Sequence, residues 1–464
     1  MHPFDVFTRW RPLPPPEAQT LIQQINRVHI KHSNRFISTS LTAPEPTRTT
    51  HSRPWKSDPV FTHVFEGHET NKTVFETVVS PILPRVLKGE TCNFLAYGHS
   101  GSGKSHTIIG YDFEDQDEFG LCLAAARDLS VQLDRLNGGL VEGSADELGV
   151  GLRMYELRGN TAFDLLNGHC KCHIREGYDG QTHIRGETEV MSDGRVRVRP
   201  IVTKACWNLE DVRKELLAGL ELRATGTSTM HDQSSRTHAV LEIEVVTTAL
   251  LDARDAVIER QSELVPVAKR ATDVYLEENM KAFVRTEDGK YVPNPSYQID
   301  QGRIDEAEAR KAEFEGYVRD AEDRVDDVMQ SSPHTCLGGK LVFVDLAGSE
   351  YYHDKSISSS APRAKPTAQE QREGRQINTD LLALKEVIRA RALRQSRIPY
   401  RSSPLTMVLR GYFEPSGKAN SYTAIILTAS PEETQFAATM NTLKYGNLVG
   451  VAGGDKVAAA ARKA

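Results

Sequence analysis

The sequence predicts an α/β fold in which a central, mostly parallel sheet carries helices on both faces. Nearly continuous apolar runs at residues 94–97, 341–344 and 424–427 are typical of strands that are buried on both sides. Helical patterns lie between these runs. Because helices that alternate with buried strands pack on the faces of one sheet, the layered α/β class follows.

Two further elements can be placed from the spacing of apolar residues. Residues 240–246 alternate apolar with charged side chains, which predicts a half-exposed strand. Leu381, Leu384 and Ile388 mark one face of a helix. We predict that this helix opens at residues 378–380, Asn-Thr-Asp, because these side chains suit an N-terminal cap.

Length and composition are those of an ordinary globular protein. The 464 residues leave room for about three domains. Apolar residues make up 39% and charged residues 26%, which excludes collagen-like and wholly disordered chains. No apolar run approaches the roughly 20 residues of a membrane helix, and a net charge of −6 argues against a non-specific nucleic-acid coat. We therefore expect neither a membrane nor nucleic acid as a partner.

The N-terminus and the cysteines indicate a compartment. The first residues show no basic segment followed by an apolar one, so the cytoplasm is the expected location. Six cysteines scattered through so long a chain do not form a disulfide framework, and we expect reduced thiols.

A charged, helix-forming block at residues 252–334 interrupts the strand pattern, and we predict that it is a helical insertion. Its second half has a heptad-like seam made up of Ile304, Ala307, Lys311, Phe314, Val318, Ala321, Val325 and Val328. We expect this seam to lie on the body of the protein or against a neighbouring helix. An intermolecular coiled coil is the less favoured alternative, since fewer than about four heptads are marginal alone. A turn at residues 289–295 lets two helices fold back as a hairpin.

Two other stretches are predicted to be surface loops. Residues 43–59 and 356–368 are rich in Pro, Ser and Thr, which do not sustain a regular ladder of backbone hydrogen bonds.

A phosphate-binding motif directly follows the apolar run 94–97. Residues 98–105 fit the pattern G-x-x-x-x-G-K-[ST], in which glycines let backbone N–H groups curl around phosphate oxygens. Lys104 can reach the β- and γ-phosphates, and the Ser105 hydroxyl can bind Mg²⁺. The predicted nucleotide-binding residues of this loop are Gly98, His99, Ser100, Gly101, Ser102, Gly103, Lys104 and Ser105.

A second signal lies at residues 345–348, Asp-Leu-Ala-Gly, which closes the apolar run 341–344. An Asp at the carboxyl end of a buried strand is placed to hold Mg²⁺, usually through water, so Asp345 is a predicted metal ligand. Gly348 can offer its backbone N–H to the γ-phosphate and so sense whether that phosphate is present.

A third signal is the segment 234–238, Ser-Ser-Arg-Thr-His. The adjacent hydroxyls of Ser234 and Ser235 can contact a γ-phosphate, its metal and the attacking water. Arg236 needs an anionic partner if it is buried, and Glu350 is a candidate. The alternative is a polar loop that ends in a surface arginine.

Two charged or metal-type patterns have plainer alternatives. The arginines at 195, 197 and 199 alternate on one face of a possible strand and either form a basic patch or keep a strand edge soluble. Residues 169–173, His-Cys-Lys-Cys-His, contain metal-type ligands. Strand alternation sends adjacent ligands to opposite faces, so incidental thiols are favoured over a metal site.

Taken with their flanks, the three nucleotide signals closely resemble the kinesin motor domain. The segments that carry the resemblance run in family order from residue 4 to about residue 450. They are V-F-T-R-W-R-P-L at 6–13, the phosphate loop continuing through residue 107, S-S-R-T-H at 234–238, D-L-A-G-S-E at 345–350, I-N-T-D-L-L-A-L-K-E-V-I-R-A at 377–390, I-P-Y-R-S-S-P-L-T at 398–406 and M-N-T-L-K-Y-G-N at 440–447.

The resemblance implies an ATP-hydrolysing motor with a P-loop NTPase fold, ATP and Mg²⁺ as cofactors, and microtubules as its partner in the cytoskeleton. It implies a motor domain over residues 1–450, interrupted by the insertion 252–334, and leaves 451–464 as a flexible tail. Oligomeric state, cargo and direction of travel do not follow from it.

Roles at the adenine end come from the resemblance position by position. Arg9 and Pro12 would border the adenine, and His106 would stack on it.

The resemblance also assigns the two switches. Ser234 and Ser235 would form the first, with Ser235 near Mg²⁺. Asp345, Gly348 and Glu350 would form the second, and an ion pair between Arg236 and Glu350 would close when the γ-phosphate is in place. Closure would position a water in line with the γ-phosphorus. The helix beginning near Ile377 would then transmit movement to microtubule affinity.

Within the family, details such as G-Y-D-F at 110–113 and R-A-T-G at 223–226 resemble the internal-motor branch that depolymerises microtubules. Three positions depart from the family pattern: His231 replaces an asparagine, and Thr379 and Pro404 replace lysines. The two lost charges predict weak, salt-dependent tubulin binding.

These departures keep a second function open beside the ATP-hydrolysing motor. It is a kinesin-fold microtubule-binding module with weak or no turnover. A third alternative is a phosphate-loop NTPase of another class. In that case, all the flanking segments that resemble the kinesin pattern would have to do so by coincidence.

Overall fold

We describe the fold from a computed structural model. The structure describes residues 4–13, 24–32, 36–42, 54–141, 143–177, 180–224, 236–285, 290–349, 368–415 and 420–461. The strands are β1 Asp5–Trp10, β2 Asn26–Lys31, β3 Ile37–Thr42, β4 Trp55–Lys56, β5 His63–Phe65, β6 Thr91–Tyr97, β7 Leu148–Arg158, β8 Thr161–Asp164, β9 Cys170–Glu176, β10 Thr182–Val190, β11 Val196–Pro200, β12 Lys204–Cys206, β13 His238–Thr247, β14 Phe283–Arg285, β15 Tyr291–Pro293, β16 Lys340–Asp345 and β17 Ser421–Ala429. The helices are α1 Asn71–Val78, α2 Leu83–Val86, α3 Lys104–Ile108, α4 Leu121–Asn137, α5 Leu209–Ala224, α6 Thr248–Lys281, α7 Gln301–Ser331, α8 Ala368–Ala392, α9 Pro404–Phe413 and α10 Phe436–Ala461.

A 12-stranded sheet forms the centre, in the order β11-β10-β9-β8-β7-β13-β16-β6-β17-β1-β5, with β12 paired to β7. The strands β16, β6, β17, β1 and β5 run parallel to their neighbours in this group. From β13 outward to β11 every pairing is antiparallel. The sheet is therefore mixed rather than mostly parallel, because short hairpins join most of the outer strands, whereas parallel neighbours need crossovers.

Helices cover both faces of the sheet, as the apolar runs predict. All seven residues of β6 are buried. One core cluster packs α1, α3, α4 and α5 against one face, and another packs α8, α9 and α10 against the other. The α/β layering is confirmed.

Strand β13 is not half-exposed, because all ten of its residues are buried. Its two acidic side chains have cationic partners from other elements. Lys340 donates to Glu242 at 2.8 Å, and Arg254 donates two hydrogen bonds to Glu244 at 2.9 and 2.8 Å. The alternation in this strand therefore marks buried ion pairs rather than an exposed face.

The insertion is a helical hairpin, as predicted. Helices α6 and α7 pack along each other in opposite directions, since Arg260 of α6 lies over the Tyr317 ring while Arg303 at the start of α7 bonds Glu277 at 2.6 Å. Every residue of the predicted seam is buried or half-buried, so α6 covers it within the chain. The strands β14 and β15 pair at the far end.

Two helix boundaries differ from the predictions. Helix α8 begins at Ala368 rather than at residues 378–380, so the predicted cap residues lie inside it. Helix α10 continues to Ala461, so most of residues 451–464 are helical rather than a flexible tail. Most of the loop predicted at 356–368 lies outside the described residues. None of the described helices is both long enough and apolar enough to cross a bilayer.

The arginine stripe lies on β11, at the edge of the large sheet next to α6. Arg195 and Arg197 both pair with Glu259 of α6, and Arg199 lies 3.6 Å from Glu189. Arg195 also pairs with Asp193 at 2.7 Å. The three arginines therefore face three acidic residues, and the stripe anchors the insertion instead of forming a basic patch.

Candidate functional site

The glycine-rich loop 98–103 joins β6 to α3, and its shape depends on its glycines. Gly101 and Gly103 have φ of +73° and +105°, a region that other residues rarely adopt. A Cβ on Gly98 would lie 2.4 Å from the Thr428 carbonyl oxygen of β17. Ser102 hydrogen-bonds the Thr428 hydroxyl at 2.6 Å and fixes the loop to the same strand.

Lys104 is buried in the first turn of α3. Its Nζ donates to the carbonyls of Gly98 at 3.0 Å and His99 at 2.9 Å. The ammonium group therefore lies against the concave backbone of the loop, where an anionic ligand would compete with these carbonyls.

Ser105 and Asp345 meet at the carboxyl end of β16. The Ser105 hydroxyl donates to Asp345 Oδ2 at 2.7 Å. The other carboxylate oxygen, Oδ1, is buried and accepts no hydrogen bond from the part of the chain that the structure describes. This carboxylate oxygen and the neighbouring Ser105 hydroxyl together form a set of oxygen donors that suits Mg²⁺.

Arg223 belongs to this site, although no role for it follows from the sequence motifs. From the last turn of α5 its guanidinium donates to Asp345 Oδ2 at 3.1 Å, and it is nearly fully buried. Its Nε also lies 3.8 Å from Glu156. The one feature of the sequence that points to Arg223 is its position as a cation at the end of the helix before the segment 234–238.

No sequence motif points to Glu156 of β7, which also belongs to the site. It accepts from the Thr237 hydroxyl at 3.0 Å, next to the start of β13, and its other oxygen lies 3.0 Å from His169 Nε2. His169 is thus the neighbour of a carboxylate that fixes the end of the segment 234–238. Among the described residues, no three or more His, Cys, Asp and Glu side chains come together in a group that could hold a metal ion.

The segment after β16 lies directly on the glycine-rich loop. A Cβ on Gly348 would lie 2.9 Å from the backbone nitrogen of Ser100, and the Ser349 N–H donates to the Gly98 carbonyl at 3.1 Å. The Ala347 N–H donates to His238 Nδ1 at 3.0 Å. Burial lowers the pKa of His238 to about 3, which keeps the ring neutral and able to accept this bond.

Part of the predicted switch machinery lies outside the described residues, namely Ser234, Ser235, Glu350 and His231. Arg236 is described and lies 4.0 Å from Glu373 of α8. Glu373 also accepts from Arg158 at 3.1 Å. The ion pair of Arg236 with Glu350 stays a prediction.

At the predicted adenine end, Arg9 is buried between elements. It donates to Asn71 at 2.6 Å and Thr107 at 2.8 Å, and burial lowers its pKa to about 10. Pro12 is exposed nearby in sequence. The neighbouring Arg11, absent from the predicted set, donates to the Gly101 carbonyl at 2.9 Å.

The two histidines of the loop and α3 are held neutral. Burial lowers the pKa of both His99 and His106 to about 4. The His106 ring lies edge-on to Tyr111 at a centroid distance of 5.5 Å. A neutral imidazole with one aromatic neighbour is compatible with stacking on a base, and that role stays a prediction.

A family model described as the kinesin motor domain matches residues 9–268 and 321–450. The chain belongs to the kinesin motor domain family. The match passes over residues 269–320, which include the β14–β15 hairpin and the adjoining parts of α6 and α7. The family pattern therefore accounts for the sheet and the phosphate loop, but not for the outer part of the insertion.

Three curated kinesin-like proteins are similar to most of the chain. Kinesin-like protein KIF25 of Macaca fascicularis is 26% identical over 394 residues, covering 83% of this chain and 56% of that protein. Kinesin-like protein KIF24 of Homo sapiens is 25% identical over 389 residues, covering 84% and 20%. Kinesin-like protein KIN-13A of Oryza sativa subsp. japonica is 27% identical over 447 residues, covering 96% and 40%. The chain thus spans from a fifth to just over half of these relatives.

Among solved kinesin structures, that of a fast kinesin matches with a TM-score of 0.53 at 20% identity, covering 96% of this chain and 90% of that one. This likeness confirms the kinesin-motor fold.

Proposed function

We propose that this kinesin-family chain binds ATP with Mg²⁺ at residues 98–105, hydrolyses it, and couples the nucleotide state to microtubule binding. The observation that carries the proposal is the 2.7 Å contact between Ser105 and Asp345, whose second oxygen accepts no hydrogen bond from the described residues. This donor set lies beside a loop with two glycines at positive φ. Both features suit a metal-bound triphosphate.

The residues of the loop divide the binding between them. Backbone N–H groups of residues 98–105 would donate to phosphate oxygens, and Lys104 would exchange its bonds to two loop carbonyls for bonds to phosphate. Ser105 and Asp345, with Ser235 as a third proposed ligand, would hold Mg²⁺. Bound Mg²⁺ would neutralise charge that develops on the phosphates.

Hydrolysis would depend on positioning by the switches. We assign Ser234 and Ser235 to orienting the attacking water, and the Gly348 N–H to the γ-phosphate. The ion pair of Arg236 with Glu350 would close this arrangement. Arg9, Pro12 and His106 would hold the adenine.

Two contacts support a coupling from this site to α8. Gly348 lies on the loop at Ser100, and His238, which accepts from Ala347, lies 3.9 Å from Asp380 of α8. A shift of the segment after β16 would therefore reach a buried side chain of α8.

We propose the surface of α8 and α9 as the microtubule-facing side. Thr379 is exposed there, where the family pattern has a lysine. Arg401 is already engaged by Glu176 at 2.5 Å. Fewer available cations support the expectation of weak, salt-dependent binding, with the cytoskeleton of the cytoplasm as the proposed location.

The experiment is steady-state ATP hydrolysis with and without stabilised microtubules, combined with co-sedimentation at increasing salt. Stimulation by microtubules supports the motor. Nucleotide and microtubule binding with a flat, very low rate supports the binding module instead. Microtubule pelleting that is tight and insensitive to salt would contradict the proposed weak interface. Microscopy of the same mixture distinguishes gliding from end shortening, the activity proposed from the likeness to the internal-motor branch.

A further inference from the structure

His169, the first residue of the segment His-Cys-Lys-Cys-His, lies beside the candidate nucleotide site. It follows Gly168 in the turn between β8 and β9, and His169 and Gly168 have φ of +59° and +60°. Among the described residues, Arg394 is the only other non-glycine residue with a positive φ. A residue other than glycine keeps such a φ only where surrounding contacts hold it, which is common at functional sites.

Two contacts hold the His169 side chain. Its ring stacks on Phe163 of β8, with a centroid distance of 4.7 Å and an angle of 12° between the ring planes. Its Nε2 lies 3.0 Å from Glu156 Oε1. Because a carboxylate only accepts hydrogen bonds, Nε2 carries the hydrogen and donates it. The turn therefore supplies one hydrogen-bond donor to a carboxylate of β7.

Glu156 has a donor at each of its two oxygens. The residue is 4% exposed, and its Oε2 accepts from the Thr237 hydroxyl at 3.0 Å. Neither His169 nor Thr237 is an arginine, although Arg223 lies close by. The Arg223 Nε is 3.8 Å from Oε2, which is too far for a hydrogen bond.

Arg223 is bonded instead to the carboxylate that we propose as a Mg²⁺ ligand. Its Nη1 donates to Asp345 Oδ2 at 3.1 Å, and the same oxygen accepts from Ser105. Two buried carboxylates therefore lie within reach of one guanidinium. A buried acceptor without a donor is costly, and an arginine is a strong donor to a carboxylate. The carboxylate that lacks other donors should therefore attract the guanidinium.

We propose that His169 is a positioning residue of the nucleotide site. By donating to Glu156, it keeps Arg223 on Asp345. The inference rests on the proposed function, because it requires Asp345 to hold Mg²⁺. Without the His169 donor, Oε1 of Glu156 would be a buried acceptor with no hydrogen bond from the described residues, and Arg223 would turn toward it. Asp345 would then lose one of the two donors that orient its Oδ2.

The alternative is that His169 only fastens the turn between β8 and β9 to β7. The two roles differ in the effect of a second substitution. If His169 only fastens the turn, Glu156→Gln adds a further loss. If it acts through Arg223, Glu156→Gln removes the negative charge that attracts the guanidinium, and the metal site is restored.

The test is a Mg²⁺ titration of the full chain with a fluorescent ADP, which requires binding but no hydrolysis. His169→Phe keeps a ring that can stack on Phe163 and lacks the donor. The Mg²⁺ concentration for half-maximal ADP binding should rise about tenfold, because groups that hold a metal ligand in place commonly change metal affinity by this much or more. ADP affinity in EDTA should not change, whereas a general loosening of the site would lower both affinities.

Three further variants complete the test. His169→Gln keeps a donor and should need as much Mg²⁺ as the wild type. His169→Phe combined with Glu156→Gln should also return to the wild-type requirement, because a neutral amide no longer attracts the guanidinium. The matched control is His173→Phe, the same change at an exposed position of β9, and it should have no effect.

The outcomes separate this inference from the proposed function. If His169→Phe does not fold, His169→Asn takes its place, because Asn tolerates a positive φ and is too short to reach Glu156. A wild-type Mg²⁺ requirement in the variant that lacks the donor, or no recovery on adding Glu156→Gln, overturns the inference alone. A wild type that binds no ADP with Mg²⁺ contradicts the proposed function, and the inference falls with it.

Discussion

The phosphate-loop end of the sheet and the inserted hairpin show two different ways in which one chain uses charge. Around the loop, charged groups such as Lys104, Arg223 and Asp345 are almost fully buried and contact one another or the loop backbone. On α7, most charged residues are exposed. Buried charges need partners at fixed distances, so the loop end is intolerant of change. An exposed helix needs only its apolar seam, and its outer face is free to take on other roles.

The largest contrast should come from removing one cation from each region. Lys104→Ala deletes the ammonium group that we propose reaches the phosphates, and ATP hydrolysis should fall at least about a hundredfold. Lys311→Ala on α7, whose Nζ lies 3.3 Å from Glu308, should leave the rate unchanged. Steady-state hydrolysis and thermal melting of both variants check this. Equal rates for Lys104→Ala and the wild type would remove the loop from the proposed mechanism.

The start of α6, where Arg254 contacts the buried Glu244 of β13, should be as sensitive to substitution as the phosphate-loop end of the sheet. Although desolvation opposes ionisation of Glu244, Lys340 and Arg254 hold its pKa below the usual range. After Arg254→Ala, the buried Glu244 carboxylate keeps its ion pair with Lys340, 3.4 Å away, and loses the two hydrogen bonds from Arg254. We expect a loss of about 2 kcal/mol of unfolding free energy, measured by urea denaturation.

The matched control for this change is Arg260→Ala, six residues further along α6. Arg260 is half-exposed and pairs with Glu263 at 2.8 Å, and its removal should cost less than about 0.5 kcal/mol. If the two variants lose the same stability, the start of α6 at Arg254 is not distinguished from the part of the helix at Arg260.

A smaller effect with a clear pH dependence is expected at Asp380 of α8. Burial raises its pKa to about 6, against hydrogen bonds from Gln376 and Ser403 that lower it. Because the folded pKa lies above the unfolded one, the folded state binds more protons between about pH 4 and 6, and stability falls as the pH rises through this window.

Asp380→Asn removes this titration. It should raise the unfolding free energy by up to about 2 kcal/mol above pH 6, with the gain disappearing near pH 4. Urea denaturation at several pH values measures it, with the exposed Asp305→Asn on α7 as the control. A gain that is the same at every pH would point to a cause other than this carboxyl group.

The smallest effect is expected from shortening the insertion while keeping the parts of α6 and α7 that join the core. Replacing residues 271–308 by a short glycine-containing turn keeps Arg254 and the cluster of Val246, Leu250 and Leu337 at the base. Stability should change by less than about 1 kcal/mol, and ATP hydrolysis should be retained. A deletion of all of residues 252–332 would also remove the cation paired with Glu244. Failure of the shorter deletion to fold would show that residues 271–308 belong to the core.

Sequence patterns predicted those parts of the fold in which local spacing decides the outcome. The apolar runs 94–97, 341–344 and 424–427 are buried strands, and the α7 seam is covered. The phosphate loop and Asp345 lie together, as the motifs predict.

The misses share one cause, which is a partner from a distant segment. Glu242 and Glu244 alternate with apolar residues in β13 and would be exposed if Lys340 and Arg254 did not reach them. Arg223 is 122 positions from Asp345, and nothing in the sequence joins the two. In α8, Asp380 is buried and hydrogen-bonded by Ser403, so it lies inside the helix instead of capping its start.

Strand β13 gives the molecule a mechanical property. It begins at His238, beside the segment after β16, and ends at Thr247, where α6 starts. It is hydrogen-bonded to β7 along its whole length and to β16 along much of it. A force applied to the insertion is therefore transmitted to the core through β13, whose hydrogen bonds to β7 and β16 resist it together. Tension on the hairpin would be spread along these ladders before it reached the bond between Ala347 and His238 at the other end of the strand.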